Sequence, residues 1–359
     1  MTSVLDLVRP DLRAFAGYAS ARREKAKGHI WLNANESPWT SPADSGLGLN
    51  RYPEPQPAAL RARMAELYGV PVERLMVTRG SDEGIDLLVR AFCRAGLDAV
   101  LIAPPCFGMY AVCARVQNAP LVEVPLSDDD DGFSLDLTAV EDMVAHGDVR
   151  AVFLCSPANP TGQALKVKNI GRLARSVEGK AVLVLDEAYV EFSSVGSARA
   201  LLDEFPHLVI LRTLSKAYAM AGARIGAVLA DPDVIGVLRS VSAPYSVAAP
   251  SASLALEALS DEGQAESRKR IALTIRERDA LFKKFAGLRG VTRAYPSQGN
   301  FLLVRFADAE AALRRLLARG VVVRDMRAMP QLGDALRISV GTPEENQAMI
   351  EALREVPVP

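Results

Sequence analysis

The sequence is poor in the residues on which many metal sites and disulfide frameworks depend. Its 359 residues include four cysteines and three histidines, and neither a CxxC pair nor a histidine cluster occurs. The scattered histidines argue against a histidine metal site and against a Ser-His-Asp triad. We therefore expect free, buried thiols in a reducing compartment and no bound metal.

The sequence also has neither an excess of charge nor a long apolar run. Its 42 Lys and Arg residues nearly balance 43 Asp and Glu residues, for a formal net charge of −1. This balance argues against nucleic acid or an anionic membrane as the main partner. No apolar run is long enough to span a membrane, and the first residues lack the basic start and apolar core of a secretion signal. These features predict a cytoplasmic enzyme that acts on small molecules.

What the sequence does contain is a long alternation of short apolar runs and helical patterns. Runs such as AVFLC (151–155) and AVLVLD (181–186) lack polar alternation, so both faces of these strands are expected to be buried. The pattern predicts an α/β fold, with a three-layer αβα domain around a mainly parallel mixed sheet and a smaller α+β domain. The expected division is an N-terminal arm over 1–50, the large domain over 51–250 and the small domain over 251–359.

Charged residues are concentrated in two segments. Ser253–Gly287 has the pattern of a long charged helical region at the start of the small domain. SDDDDG (127–132) is the one run of like charges, and a calcium loop would need ligands at alternating positions with a distal Glu. We therefore expect this run to form a solvated loop.

Polar residues follow several predicted strands, where ligands bind in open α/β sheets. In TRGSDEG (78–84) a strand gives way to a helix, and Gly80 permits a tight turn. The backbone N–H groups of Ser81 and Asp82 would then point from the helix N-terminus toward an anion. The alternative is that Ser81 merely caps its helix.

Two further strand ends carry an isolated amide and an isolated carboxylate. In SPANPTG (156–162), Asn159 stands between Ala158 and a proline, where it would aim an amide into the crevice; a plain turn is the alternative. In LVLDEAYVEF (183–192), Asp186 closes an apolar strand, and Tyr189 follows three residues later. A buried carboxylate needs a cationic partner, supplied either by a ligand or by a salt bridge within the fold.

The stretch TLSKAYAMAGARIG places a lysine among small residues that cannot pair with its charge. A desolvated Lys216 would lose proton affinity and become a nucleophile toward aldehydes. Ser215 and Arg224 would add donors for an anion. Taken alone, Lys216 could equally be an exposed, inert lysine.

One ligand satisfies all of these groups. It needs an aldehyde for Lys216, a ring nitrogen whose positive charge Asp186 can hold, and a ring oxygen for Asn159 and Tyr189. It also needs a phosphate. The predicted phosphate ligands are Ser81, Asp82, Ser215 and Arg224. Pyridoxal 5′-phosphate has all of these features, and the carboxylate would keep its ring nitrogen protonated so that the ring can accept electrons.

These motifs resemble those of the fold-type I, aspartate-aminotransferase-like enzymes that use pyridoxal 5′-phosphate. Within them, the sequence is similar to the histidinol-phosphate aminotransferase subfamily, and the matching motifs cover nearly the whole chain. LNANE, RYPxxQP and RTLSKA together indicate the subfamily, whereas SPxNPTG and SxK…R mark only the wider superfamily. The matching segments are YASARR (18–23), WLNANE (31–36), RYPEPQP (51–57), RGSDEGIDLLVRAFC (79–93), SPANPTG (156–162), DEAYVEF (186–192), LRTLSKAYAMAG (211–222) and LRISVGT (336–342).

The resemblance implies further site residues and a dimer. Tyr52 would reach the cofactor phosphate of the neighbouring subunit, so the sites would be shared across a homodimer. Arg337 would bind the substrate phosphate, helped by Arg324. The other residues implied at the substrate end are Tyr18, Asn35 and Asn300. Two positions depart from the subfamily pattern: Phe107 replaces the tyrosine that stacks on the cofactor ring, and Ala158 replaces an asparagine. An aromatic face can still stack without its hydroxyl.

The resemblance also implies the reaction. Lys216 would hold the cofactor and act as the general base, and amino-group transfer would link L-histidinol phosphate and 2-oxoglutarate to imidazole-acetol phosphate and glutamate. An aromatic amino-acid aminotransferase is the main alternative, since a similar pocket accepts a flat ring. A threonine-phosphate decarboxylase and a non-catalytic binding module on the same scaffold are the others.

Overall fold

The computed structural model describes residues 3–18 and 29–354, which form ten α-helices and thirteen strands within those ranges. The helices are α1 Ala58–Tyr68, α2 Gly80–Phe92, α3 Met109–Val116, α4 Leu137–His146, α5 Val167–Ser176, α6 Pro232–Val241, α7 Ala249–Ala258, α8 Asp261–Ala286, α9 Ala309–Ala318 and α10 Pro343–Arg354. The strands are β1 Leu75–Thr78, β2 Ala99–Ile102, β3 Leu121–Glu123, β4 Ser127–Asp129, β5 Gly132–Ser134, β6 Val149–Cys155, β7 Val182–Asp186, β8 Leu208–Thr213, β9 Gly226–Leu229, β10 Val291–Ala294, β11 Phe301–Phe306, β12 Arg324–Asp325 and β13 Ala335–Ser339. Among the described helices, none is both long enough and apolar enough to cross a membrane.

Seven strands form a mixed sheet in the order β1-β9-β8-β7-β6-β2-β3. Strand β9 runs antiparallel to both of its neighbours, and every other pairing is parallel. The carboxyl ends of β6, β7 and β8 therefore meet at one edge, with Cys155 in register with Asp186 and Asp186 in register with Leu211. This is the edge at which the sequence predicts a ligand.

Helices cover both faces of this sheet because its strands are apolar on both sides. Residues of β7 are buried throughout, and alternate positions such as Leu183 and Val184 enter different core clusters. One cluster includes residues of α1, α4, α5 and α7, and the other includes residues of α2, α3 and α6. The chain therefore has the predicted three-layer αβα architecture.

A second sheet, of order β10-β11-β13-β12, is antiparallel throughout. One face carries Leu302, Val304, Leu336 and Ile338, which pack with residues of α8, α9 and α10. The alternate positions face away from these helices. They include Phe301, Leu303 and Arg337, so this face is free to contribute to the ligand-binding edge.

Two segments differ from the sequence-based expectations. The charged region predicted as Ser253–Gly287 is two helices. Helix α7 ends at Ala258, and the hydroxyl of Ser260 caps the start of α8 by accepting from Gly263 N at 3.1 Å. The acidic run predicted as a solvated loop belongs to the β4–β5 hairpin, in which Asp128 pairs with arginines of the second sheet. The predicted boundary between residues 250 and 251 stays a prediction, and it falls within α7.

Candidate active site

A cleft at the carboxyl end of the large sheet brings the predicted cofactor residues together. It contains about 480 Å³ of empty space including its open mouth. Its lining, hereafter the cofactor cleft, consists of Ser81, Asp82, Phe107, Cys155, Asn159, Asp186, Ala188, Tyr189, Thr213, Ser215, Lys216 and Arg224. Nine of the ten predicted cofactor-binding residues are therefore in one place, although they come from distant parts of the chain.

The carboxylate of Asp186 is buried at the end of β7 without a cation. Its Oδ2 accepts a hydrogen bond from the Tyr110 hydroxyl at 2.8 Å, and its Oδ1 accepts from Ala188 N at 3.1 Å. Burial outweighs both bonds and raises the pKa of Asp186 to about 6. Arg212 on the neighbouring strand β8 pairs with Glu187 at 3.3 Å rather than with Asp186. Within the described residues Asp186 has no ion pair, so a protonated ring nitrogen would complete it.

Lys216 follows β8 and places its ammonium group over the cleft. Its Nζ lies 5.8 Å from the centre of the Tyr189 ring, and no carboxylate of the described residues lies within ion-pairing distance. Burial and the nearby guanidinium of Arg337 lower the pKa of Lys216. The side chain still reaches solvent through the mouth of the cleft. A partly desolvated lysine that a small molecule can reach is suited to nucleophilic attack on an aldehyde.

The opposite end of the cleft is built for an anion. Helix α2 begins at Gly80, so the backbone N–H groups of Ser81 and Asp82 lack acceptors within the helix. Arg224 Nη2 donates to Asp82 Oδ2 at 2.9 Å, and Arg224 Nη1 lies 3.4 Å from Ser215 Oγ. A phosphate would find a guanidinium, a hydroxyl and free N–H groups converging there.

Two glycines permit this close assembly. Gly80 has a φ of +74°, which favours glycine. A Cβ on Gly226 would come within 2.7 Å of Ser81 N and 2.6 Å of the backbone carbon of Gly80. A side chain at Gly226 would therefore push β9 away from the start of α2 and disrupt the anion end of the cleft.

The second sheet supplies residues above the cleft. Arg337 on β13 donates to Asn159 Oδ1, and its guanidinium lies 5.4 Å from the centre of the Phe301 ring. Phe301 in turn meets Tyr189 edge-on, with ring centres 5.1 Å apart. Arg324 on β12 stands directly opposite Arg337 in the register. The two predicted substrate arginines are thus neighbours beside the cofactor cleft.

Four other predicted residues do not line the cofactor cleft. Tyr52 is 51% exposed and stacks on Tyr245, with ring centres 4.5 Å apart. Tyr18 and Asn35 are also exposed. Asn300 precedes Phe301 and uses its carbonyl to accept from Val340 N at 2.9 Å. Most of the YASARR motif falls at 19–28, outside the described residues.

Among the lining or supporting residues, three that carry a hydroxyl or thiol group were missed in the sequence. Tyr110 holds Asp186 from α3, while Thr213 and Cys155 line the cleft. Tyr110 lies three residues after the predicted site residue Phe107, and this proximity in the sequence was the available signal. Its partner lies 76 residues away, and the sequence contains no signal for that pairing.

The cleft fits pyridoxal 5′-phosphate by the chemistry of its donors. A buried carboxylate without a cation lies at one end, a partly desolvated lysine lies above, and a helix N-terminus with an arginine lies at the other end. Phe107 lines the same cleft with its apolar ring. Few other small molecules combine a cationic ring, an aldehyde and a phosphate.

Comparison with known proteins agrees with this assignment. Residues 24–353 match the family described as aminotransferase class I and II. The chain belongs to this family of pyridoxal-phosphate-dependent transferases.

Similarity to curated proteins narrows the family. The histidinol-phosphate aminotransferase of Stenotrophomonas maltophilia (strain R551-3) is 56% identical over 350 residues, which cover 98% of this chain and 96% of that protein. The chain therefore belongs among the histidinol-phosphate aminotransferases of the family.

Solved structures agree on the fold. Histidinol-phosphate aminotransferase from Sinorhizobium meliloti in complex with pyridoxal-5′-phosphate superposes with a TM-score of 0.76 at 23% identity, covering 85% of this chain and 83% of that one. L-Threonine-O-3-phosphate decarboxylase from Porphyromonas gingivalis gives 0.72 at 26% identity, covering 85% and 90%. The same architecture is therefore found with more than one reaction.

Proposed function

We propose that the chain transfers the amino group of L-histidinol phosphate to 2-oxoglutarate, giving imidazole-acetol phosphate and glutamate in L-histidine biosynthesis. The observation that carries this proposal is the position of Arg324 and Arg337, in register with each other beside the cofactor cleft. Among the described residues, neither arginine forms an ion pair with a carboxylate. A phosphate monoester and a dicarboxylate can both be bound by a guanidinium through two hydrogen bonds.

Different residues of the cleft would bind different parts of the cofactor. Pyridoxal 5′-phosphate, when bound, supplies an aldehyde for covalent attachment and a ring that accepts electrons from the substrate carbon. Asp186 would hold the proton on its ring nitrogen, and Asn159 and Tyr189 would donate to its ring oxygen. Its phosphate would contact residues at the anion end. These residues are Ser81, Asp82, Ser215 and Arg224.

Lys216 would move the proton during the reaction. Its lowered pKa leaves a larger fraction of neutral amine, which can accept the proton from the substrate Cα and return it to the cofactor side. Tyr189 lies beneath its Nζ and keeps water from one side of the group. In this proposal, proton transfer therefore depends on Lys216 alone, whose ammonium group has no carboxylate of the described residues within ion-pairing distance.

The substrate preference is tested by a half-reaction with the purified holoenzyme. We expect L-histidinol phosphate to bleach the near-visible absorbance of the bound cofactor at least about 100-fold faster, per unit concentration, than L-phenylalanine. The reason is that phenylalanine leaves the paired arginines without an anion at the phosphate position.

Each other outcome would contradict the proposal in a different way. A faster reaction with phenylalanine would indicate an aromatic amino-acid aminotransferase. Release of CO₂ from O-phospho-L-threonine, without a keto product, would indicate the activity named for the P. gingivalis neighbour. Absence of any near-visible absorbance after addition of the cofactor would contradict the cofactor site itself.

We further propose that the enzyme is a homodimer in which Tyr52 reaches the neighbouring cofactor phosphate. Residues 29–52 present many apolar side chains to solvent, including Leu32 at 88% exposure and Trp39 at 77%. Such a concentration of exposed apolar surface is typical of a protein contact. Tyr52 lies outside the cofactor cleft of its own chain, which fits a role in the partner.

Shared sites predict complementation between two defective variants. We expect Tyr52→Ala and Lys216→Ala each to impair the homodimer, the first by about tenfold through a weaker phosphate contact. A heterodimer with one variant in each chain keeps one site with both residues intact, so it should recover about half of the wild-type activity. Co-expression with two affinity tags isolates this heterodimer. Activity of no more than half that of the Tyr52→Ala homodimer would place Tyr52 in its own chain's site.

We also place the enzyme in the cytoplasm. All four cysteines of the chain are free. Burial raises the pKa of Cys93 to about 12, so this thiol is not primed for oxidation. Free, unreactive thiols fit a reducing compartment.

A further inference from the structure

One face of the second sheet concentrates four arginines. Arg293 stands opposite Arg305, and Arg324 stands opposite Arg337. Residues directly opposite in antiparallel strands project to the same face, and alternate residues of one strand do likewise. Leu303 stands opposite Arg337 and lies two residues from Arg305 on β11, so all four arginines share a face. We call this set the arginine face.

Two members of the arginine face are held by the acidic hairpin. Asp128 on β4 accepts from Arg293 Nη1 at 3.0 Å through Oδ1. Its Oδ2 accepts from Arg305 Nη2 at 2.8 Å and from the Tyr295 hydroxyl at 2.6 Å. Arg305 Nε also donates to the Tyr295 hydroxyl at 2.6 Å, and Arg305 pairs with Asp334. One carboxylate thus has three donors from the second sheet.

This cluster is not an ordinary exposed surface pair. The side chains of Asp128 and Arg305 are only 21% and 16% exposed. Isolated surface pairs contribute little, but a partly buried network with several hydrogen bonds fixes geometry. The hairpin also inserts Phe133, which stands opposite Asp128 and packs on the Tyr295 ring with centres 5.1 Å apart.

The same contact reaches the two remaining arginines. Phe133 shares a buried cluster with Leu303, Met326 and Ala335. Leu303 is paired with Arg337, Met326 comes two residues after Arg324, and Ala335 lies two residues before Arg337 on β13. The hairpin therefore fixes the backbone on both sides of the substrate arginines.

We propose that Asp128 is a positioning residue for substrate binding. It engages Arg293 and Arg305, so that Arg324 and Arg337 are the arginines of this face left for an anion, and it seats their strands beside the cofactor cleft. The inference rests on the proposed function, because it assigns the substrate phosphate to those two arginines. Asp128 touches neither substrate nor cofactor and acts through the second sheet.

The test compares Asp128→Asn with Asp131→Asn in the holoenzyme. Asp131 lies in the same hairpin, and its exposed side chain has no hydrogen-bond or ion-pair partner among the described residues. Both variants lose one negative charge, but only the first weakens the network. We expect Asp128→Asn to raise the KM for L-histidinol phosphate about tenfold while kcat changes less than about threefold. Asp131→Asn should match the wild type.

A second variant distinguishes a weakened network from a general loss of folding. Tyr295→Phe removes one hydroxyl from the network and keeps the ring that packs on Phe133, so we expect a smaller KM increase of about threefold. The near-visible absorbance of the bound cofactor should be unchanged in every variant. Equal KM values for Asp128→Asn and the wild type would overturn the proposal. So would a fall in kcat and cofactor content with KM unchanged, because that pattern marks a purely structural residue.

Inorganic phosphate separates this inference from the substrate assignment. If the wild type fails to use L-histidinol phosphate, the proposed function is wrong, yet the anion site can still be probed by phosphate inhibition with whichever amino donor is active. We expect the inhibition constant of phosphate to rise about tenfold in Asp128→Asn and to stay constant in Asp131→Asn. An unchanged constant in both variants would contradict a role for Asp128 in anion binding.

Discussion

Replacing Lys216 with alanine is expected to lower kcat for transamination by at least about 10⁴-fold, because in the proposed mechanism the same amine both attaches the cofactor and moves the proton. No other lysine lines the cofactor cleft in the described residues, so none can substitute for it. The measurement is steady-state turnover of L-histidinol phosphate with 2-oxoglutarate. Borohydride reduction followed by mass spectrometry adds a readout of attachment that does not depend on turnover.

A matched control uses a lysine far from the cleft. Lys269 on α8 is 79% exposed and lies 3.9 Å from Glu266, so its replacement by alanine should leave both turnover and borohydride trapping intact. Transamination by Lys216→Ala above the rate of free pyridoxal phosphate would contradict the assignment. So would a reduced cofactor covalently bound to that variant.

The second large effect is expected at Asp186. Asp186→Asn should lower kcat about 10³-fold, because an amide cannot hold a proton on the ring nitrogen as a carboxylate does. The Tyr110 hydroxyl can still donate to the amide oxygen, so the geometry of the site should persist. Turnover and the position of the cofactor absorbance band measure the effect together. A variant with more than a tenth of wild-type kcat would remove Asp186 from the proposed role.

In the cofactor-free protein the same substitution should be stabilising, although it impairs turnover of the holoenzyme. The folded pKa of Asp186 is about 6 against an ordinary value of 3.8. Well below pH 3.8 the carboxyl is protonated in both states. Between pH 3.8 and about 6 the unfolded chain ionises while the folded protein retains the proton, so the stability of the fold decreases, and above pH 6 the folded protein bears the full cost of the buried charge. At about 1.4 kcal/mol per pKa unit, the wild type loses up to about 3 kcal/mol of folding free energy over this range.

The asparagine variant lacks this titration. The free energy of unfolding of Asp186→Asn, relative to the wild type, should therefore increase by up to about 3 kcal/mol between pH 4 and pH 8. Urea denaturation of the cofactor-free proteins at several pH values gives the comparison. Parallel pH dependence in the two proteins would show that Asp186 ionises normally. Excess cofactor should reverse the order of stability, because a bound cation relieves the buried charge of the wild type.

Candidate site residues at strand ends could be predicted from the sequence because the signal lies in the residues next to them in the chain. An apolar run such as 182–185 predicts a strand that is buried on both faces, and Asp186 at its end is then expected at the ligand-binding edge of a parallel sheet. Lys216 could be predicted for the same reason, since it follows β8 by three residues. The alternation of strands and helices likewise indicated the three-layer architecture.

Other features depend on contacts between distant segments. The hydrogen bond between Tyr110 and Asp186 joins residues 76 positions apart, and the contacts of Asp128 span 165 and 177 positions. The acidic run is exposed at residues 127–131, as predicted, but its composition does not distinguish a loop from a hairpin, so the pairing of β4 with β5 was not predicted. Strand β10 was also missed, because Val291–Ala294 has no apolar alternation and is held by its pairing with β11.

The separation of the site into two sheets bears on how such an enzyme diversifies. The lysine and carboxylate proposed to hold the cofactor lie at the ends of strands of the seven-stranded sheet, whereas Arg324 and Arg337 belong to the four-stranded one. Substitutions on β12 or β13 can therefore alter which amino donor is accepted, while the cofactor-binding residues on the seven-stranded sheet remain unchanged. A laboratory library that seeks new donors should randomise these two strands and spare the hairpin that seats them. In such a fold, the strands that contact the substrate can change independently of the strands that hold the cofactor.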